Sequence, residues 1–136
     1  MKRILVTGAN KGIGLATVEN LLQNHPDTFL ILGSRDEKRG DEAVGFLTST
    51  EPKWVDRLMM LAIDVSSDES VTLAAETVAS SFETEAKPLY GIINNAGIGS
   101  SSIGLEPTLQ VNTWGIHSVC EAFIPLLEAS GRIVNV

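Results

Sequence analysis

Apolar residues fall into short, nearly continuous runs at 4–6, 28–34, 58–63, 89–93 and 132–136, separated by longer segments of mixed character. A run of this length with no polar alternation is expected of a strand covered on both faces. Between the runs the period changes. Leu15, Val18 and Leu22 recur at helical spacing over 12–24, and Asn24-His25-Pro26 ends that segment. Residues 36–48 are polar and moderately helical, and 48–53 reads as loop. Ser66-Ser67-Asp68-Glu69 has capping-box form ahead of Val71, Ala75, Val78 and Phe82, which predicts a helix to about residue 83 before Pro88 breaks the pattern. A Gly/Ser-rich loop over 98–104 leads to a predicted helix over 108–127; Pro125 should kink or end it, and Gly131 marks its stop. Strands alternating with helices imply parallel strands joined by right-handed crossovers. The expectation is a single α/β domain over 1–136, a doubly wound parallel sheet of about five strands with the chain ending inside the fifth.

In such a sheet ligands bind beyond the C-terminal ends of the strands. The polar residues that follow the runs share that rim: Gly8 to Gly14 after the first, Arg35 after the second, Asp64 after the third, Asn94 to Gly97 after the fourth. The first is the most informative. Gly8, Gly12 and Gly14 lie between a strand and a helix start, where unpaired N–H groups and the helix dipole attract an anion and a loop without side chains lets it approach. The expected ligand is a pyrophosphate. The spacing is G-x-x-x-G-x-G, and Lys11 is followed by Gly12 and Ile13, so this is no triphosphate-binding P-loop. A glycine-rich turn with no ligand is the plain alternative.

Composition narrows the field. With 136 residues, 43% of them apolar, the chain can bury a sizeable core. A net charge of −7 without a Lys/Arg block argues against nucleic acid and anionic membrane as partners. No apolar run approaches the ~20 residues of a membrane span, and no secretory segment opens the chain, so a cytoplasmic protein is expected. Cys120 is the sole cysteine, which excludes an intrachain disulfide, and His25 and His117 lack metal-ligand spacing, so no metal is expected.

Taken together, Thr7 to Gly14, Asp64-Val65 and Asn94-Asn95-Ala96-Gly97 resemble, in this order, the classical short-chain dehydrogenase/reductase family, carbonyl-reductase-like, over residues 2–136. The resemblance implies a Rossmann-type sheet and a nicotinamide cofactor, with Gly8, Asn10, Lys11, Gly12, Ile13 and Gly14 as its loop, Asp64 and Val65 beside the adenine ring, and Asn94, Ala96 and Gly97 lining it. Asn94 read alone is a strand-to-loop turn. Asn112 sits where the family places a helix asparagine that holds a water for proton relay; otherwise it is a polar residue on an interface helix. The same helix implies a possible homo-oligomer.

An acidic residue at the tip of the second strand favours NAD, and an arginine there accommodates a 2′-phosphate. The tip here is Ser34-Arg35, with Asp36 one position late, and Lys11 is the second basic position that NADPH-preferring members use. NADP(H) is the expected cofactor; two solvated charges are the alternative reading. The family's catalytic Ser, Tyr and Lys find no match. Tyr90 is the only tyrosine, stands in a predicted strand and has Asn94 four positions on, and Ser100, Ser101 and Ser102 precede the asparagine helix. The expectation is therefore the N-terminal half of an NADPH-dependent reductase of small-molecule carbonyl compounds, inactive alone, or alternatively a short product that binds NADP(H) or pairs with a subunit without chemistry. Trp114, Val119 and Phe123 are expected to be exposed, with poor solubility as the result.

Overall fold

A computed structural model describes residues 1–99 and 104–136. Ser100, Ser101 and Ser102, and with them most of the expected 98–104 loop, lie outside the described residues. Five parallel strands form one sheet: β1 Lys2–Val6, β2 Thr28–Ser34, β3 Leu58–Ala62, β4 Leu89–Asn94 and β5 Leu127–Asn135. Their order is β3-β2-β1-β4-β5. Register runs Ile4 to Leu30 and Gly91, and Leu30 to Leu58, so the strand ends that follow Val6, Ser34, Ala62 and Asn94 share one rim.

The unbroken apolar runs serve two faces. Leu5, Ile31 and Ile92 pack with Val71 and Val78 of α3 (Asp68–Ser81) and Val119 and Phe123 of α5 (Gly115–Phe123). Ile4, Val6, Leu30 and Leu32 pack on the other face with Val18 and Leu22 of α1 (Gly12–Asn24) and Ala43 and Leu47 of α2 (Glu37–Thr50). Fully burying one such side chain stabilises by about 1.5–3 kcal/mol, which makes the paired layers the main source of stability. Val119 and Phe123 are both 0% exposed, against expectation, because α5 lays them on the β4 side of the sheet; only Trp114, at 57%, faces solvent.

Several boundaries differ from the sequence reading. α2 continues to Thr50, and a 3-10 turn, Pro52–Arg57, with buried Trp54 replaces the expected loop. At α3 the capping residue is Ser67, whose side chain accepts from Ser70 N, while Ser66 donates to Asp64 instead. The 108–127 helix is composite: α4 (Leu105–Leu109), a π turn (Gln110–Trp114), α5, and a 3-10 turn at Ile124–Leu126 that holds Pro125. Proline has no N–H to continue the helix, so the chain passes straight into β5 at Leu127, earlier than Gly131 implied. Two steps along β4, Leu89 to Gly91, face five along β5, Leu127 to Arg132, and Gly131 lies in that irregularity. No helix among the described residues is long and apolar enough to cross a membrane.

The end of α1 is closed from a distance. It has no basic residue in its last turn, and the Arg57 guanidinium supplies the missing donors: to Leu22 O at 3.0 Å, His25 O at 2.6 Å, and Thr28 O at 2.9 Å. Charge-assisted bonds to helix-end carbonyls are the stronger kind. Arg57→Ala should lower the free energy of unfolding by about 2 kcal/mol, measured as an earlier urea midpoint, with Arg57→Lys recovering only part because one ammonium cannot span the fork. An unshifted midpoint in Arg57→Ala would show that this cap contributes nothing.

Candidate functional site

The chain leaves β1 at Thr7 and enters α1 through two left-handed glycines, Gly8 at φ 61° and Gly12 at φ 58°. A Cβ at Gly8 would stand 2.8 Å from Ala96 Cα, so that loop lies directly on the strand-end loop of β4. Gly12 has no heavy atom within 4 Å of a built Cβ; it is required by its φ and leaves open space before the helix. The N-cap of α1, Lys11, makes no side-chain cap bond. The first turn is thus left for an outside acceptor.

Hydrogen bonds fasten this loop to the end of β4. The Thr7 hydroxyl, on a residue 1% exposed, accepts from Asn95 N at 3.1 Å and Ala96 N at 3.0 Å. In return the Asn95 side-chain amide donates to Thr7 O and Gly8 O, each at 3.1 Å. Asn94, predicted to touch a cofactor, points elsewhere: its amide donates to Asn135 Oδ1 on β5 at 2.9 Å, and its Oδ1 is buried without a partner among the described residues. Of the two asparagines, Asn95 lines the cleft and Asn94 does not. Asn94 is the last residue of β4 and turns to β5, whereas Asn95, just past the strand, reaches the β1 loop.

Gly8, Asn10, Lys11, Gly12, Arg35, Asp64, Val65, Ala96 and Gly97 line one cleft of about 310 Å³, together with Ile63, Asn95, Ile98 and Val111, which the sequence reading had not selected. Gly14 stands behind the loop, where its hydrogen leaves room for the Asn95 amide, and Ile13, 69% exposed, lies outside the lining. Asp64 is held by its own turn, Oδ1 accepting from Ser66 N at 3.0 Å and Ser66 Oγ at 2.6 Å. Asp36 caps α2 by accepting from Arg39 N at 3.0 Å, which accounts for its place one residue past the strand tip. Lys11 and Arg35 are exposed and take part in none of the ion pairs among the described residues.

Asn112 sits in the π turn and grips the opposite wall, its Oδ1 accepting from Ile98 N at 2.8 Å and its Nδ2 donating to Ile98 O at 2.6 Å. Tyr90 is remote from the cleft, near the start of β4 with Lys2 Nζ 5.1 Å from its ring centre. Among the described residues no group of His, Cys, Asp and Glu has the makings of a metal site.

A parallel sheet with a glycine loop at β1, a polar rim and this cleft defines a dinucleotide-binding fold. The chain belongs to the short chain dehydrogenase family, whose model matches residues 2–136. It is 35% identical to the mitochondrial D-beta-hydroxybutyrate dehydrogenase of Bos taurus, over 99% of this chain and 40% of the relative, and 31% identical to carbonyl reductase [NADPH] 1 of Rattus norvegicus, over 97% and 47%. The NADPH-bound carbonyl reductase from chicken fatty liver superposes with a TM-score of 0.75 at 29% identity, covering 93% of this chain and 51% of that one. The chain thus spans about half, or less, of the length of these relatives.

Two glycine substitutions should act in opposite directions. An alanine methyl at Gly14 would overlap the Asn95 amide and stand 2.6 Å from Gly8 O, so Gly14→Ala should destabilise by about 1–3 kcal/mol. Gly45, exposed on α2 with nothing within 4 Å, should gain about 0.5–1 kcal/mol as Gly45→Ala. Thermal melts of the two variants give the signs; equal shifts would contradict the packing described for Gly14.

Proposed function

We propose that the cleft binds NADP(H), and that the chain forms the cofactor-binding part of an NADPH-dependent, carbonyl-reductase-like oxidoreductase. The observation that carries this reading is the pair of cations, Lys11 and Arg35, on the lining of one cleft and free of ion pairs among the described residues, while Asp36, next to Arg35 in the chain, is engaged as a helix cap. A 2′-phosphate matches two such donors; a ribose 2′-hydroxyl would call for a free acceptor there. The residues fit the dinucleotide in other respects: left-handed Gly8 and Gly12 keep side chains away from its phosphates, and Asp64 and Val65 form a wall for the adenine ring.

When bound, such a cofactor supplies a hydride for a carbonyl carbon. This chain's residues would bind and orient it, with Asn112 as a positioning residue. Both ends of its amide are engaged by Ile98, so a water held by Asn112 would be bound through the main chain. The acid that protonates the developing alkoxide is not available from Tyr90, and the Ser-Tyr-Lys set of the family is not in these 136 residues. The chain by itself is therefore proposed to bind and not to reduce. A non-catalytic NADP(H)-binding protein is the second reading, favoured by the burial of Val119 and Phe123 under the chain's own helices, although Ile133 and Val134 of β5 stay exposed.

Each charge-assisted bond from Lys11 and Arg35 contributes roughly 1.5–3 kcal/mol when well formed, and exposure to solvent places these two toward the lower end. Calorimetric titration should show NADPH bound about 10- to 1000-fold more tightly than NADH. Arg35→Asp combined with Lys11→Ala should erase that difference and leave NADH binding in place. A preference for NADPH that survives both substitutions would overturn the cofactor assignment.

A further inference from the structure

We infer that Gln110 and Gly115 are positioning residues for the adenosine half of the dinucleotide, holding the 64–67 wall of the cleft against the helix that carries Asn112. This rests on the dinucleotide reading of the cleft. Asp64 and Val65 line the cleft at its β3 end, and the helix reaches that wall at two points. The Gln110 amide donates to Ser66 O at 3.2 Å. Gly115 is in backbone contact: a Cβ there would stand 2.9 Å from Val65 Cγ2 and 3.1 Å from Val65 O.

Residues five apart sit about 140° from each other on a regular α-helix, too far round to touch one loop together. Here the turn between them is a π turn, closed by the Gly115 N–H donating to the Gln110 carbonyl. The wider turn brings the two positions toward a common side. Inside that same turn Asn112 holds Ile98, on the opposite wall, by both its N–H and its carbonyl. Val111, from the same turn, is part of the cleft lining. A single turn of helix therefore fixes both Val65 and Ile98, and the separation of these walls follows from its shape. Filling the adenosine end should restrain Ile98, and loosening the Gln110 or Gly115 contact should weaken adenosine binding.

The test is calorimetric titration of the 136-residue chain with 2′,5′-ADP, alongside amide exchange at Ile98 followed by NMR. Gly115→Ala should bind about tenfold more weakly, because its methyl forces the wall outward by a fraction of an ångström. Gln110→Ala changes a single hydrogen bond of an exposed side chain and keeps the fold intact. It should bind about threefold more weakly and lose the slowing of Ile98 exchange that 2′,5′-ADP produces in the wild type, a readout that a loss of stability alone does not mimic. If the wild type fails to bind 2′,5′-ADP, the dinucleotide reading falls and this inference with it. If the wild type binds, and Gln110→Ala binds equally well with the same slowing at Ile98, this inference alone is overturned.

Discussion

The cleft depends on a small set of hydrogen bonds between the ends of two adjacent parallel strands. Thr7 at the end of β1 accepts two backbone N–H groups from the β4 loop through one hydroxyl, and Asn95 answers by donating to two carbonyls of the β1 loop. Without this exchange the Ala96 N–H would lose its partner, at a cost of about 1–3 kcal/mol, and the Asn95 N–H would keep only Ile93 O. The glycines take their meaning from it. Gly8 is bare because the β4 loop is drawn against it, and Gly14 is bare because the Asn95 amide has to pass. A loop that would otherwise be a collection of flexible residues becomes a fixed cradle.

Charge gives the cleft a particular setting. The chain carries a net charge of −7, so at long range it repels the phosphate groups it is proposed to hold. Attraction is confined to within a Debye length of Lys11 and Arg35, about 8 Å at physiological ionic strength. Recognition is then a matter of local donors and backbone dipoles rather than of electrostatic steering from afar.

Much of this was legible in the residues. The five apolar runs gave the strands because a parallel strand covered on both faces has no polar positions to confuse the pattern, and the rim followed from the residues just past them. Legibility failed where a contact reaches across the chain. Nothing along the chain singles out Arg57 until α1 is seen ending beside it. Val119 and Phe123 read as an exposed stripe because the face they cover belongs to strands far away in sequence. Within the asparagine pair the motif was found but the division of labour was not, since Asn94 turns to β5 and Asn95 to Thr7. The start of β5 was placed late because Pro125 announces the end of a helix without saying how soon a strand follows it.

The sheet order also governs when the cleft comes into being. β1 and β4 are hydrogen-bonded neighbours, yet Thr7 and Asn95 are separated by 88 positions along the chain, with β2 and β3 made in between. Contacts that distant cannot repay the entropy of closing the intervening chain until most of the sheet has assembled, and topologies rich in such pairings fold slowly. During synthesis the glycine loop emerges ahead of β2, β3 and β4 and stays shapeless until β4 docks beside β1. The cradle is made well before the strand that gives it its form.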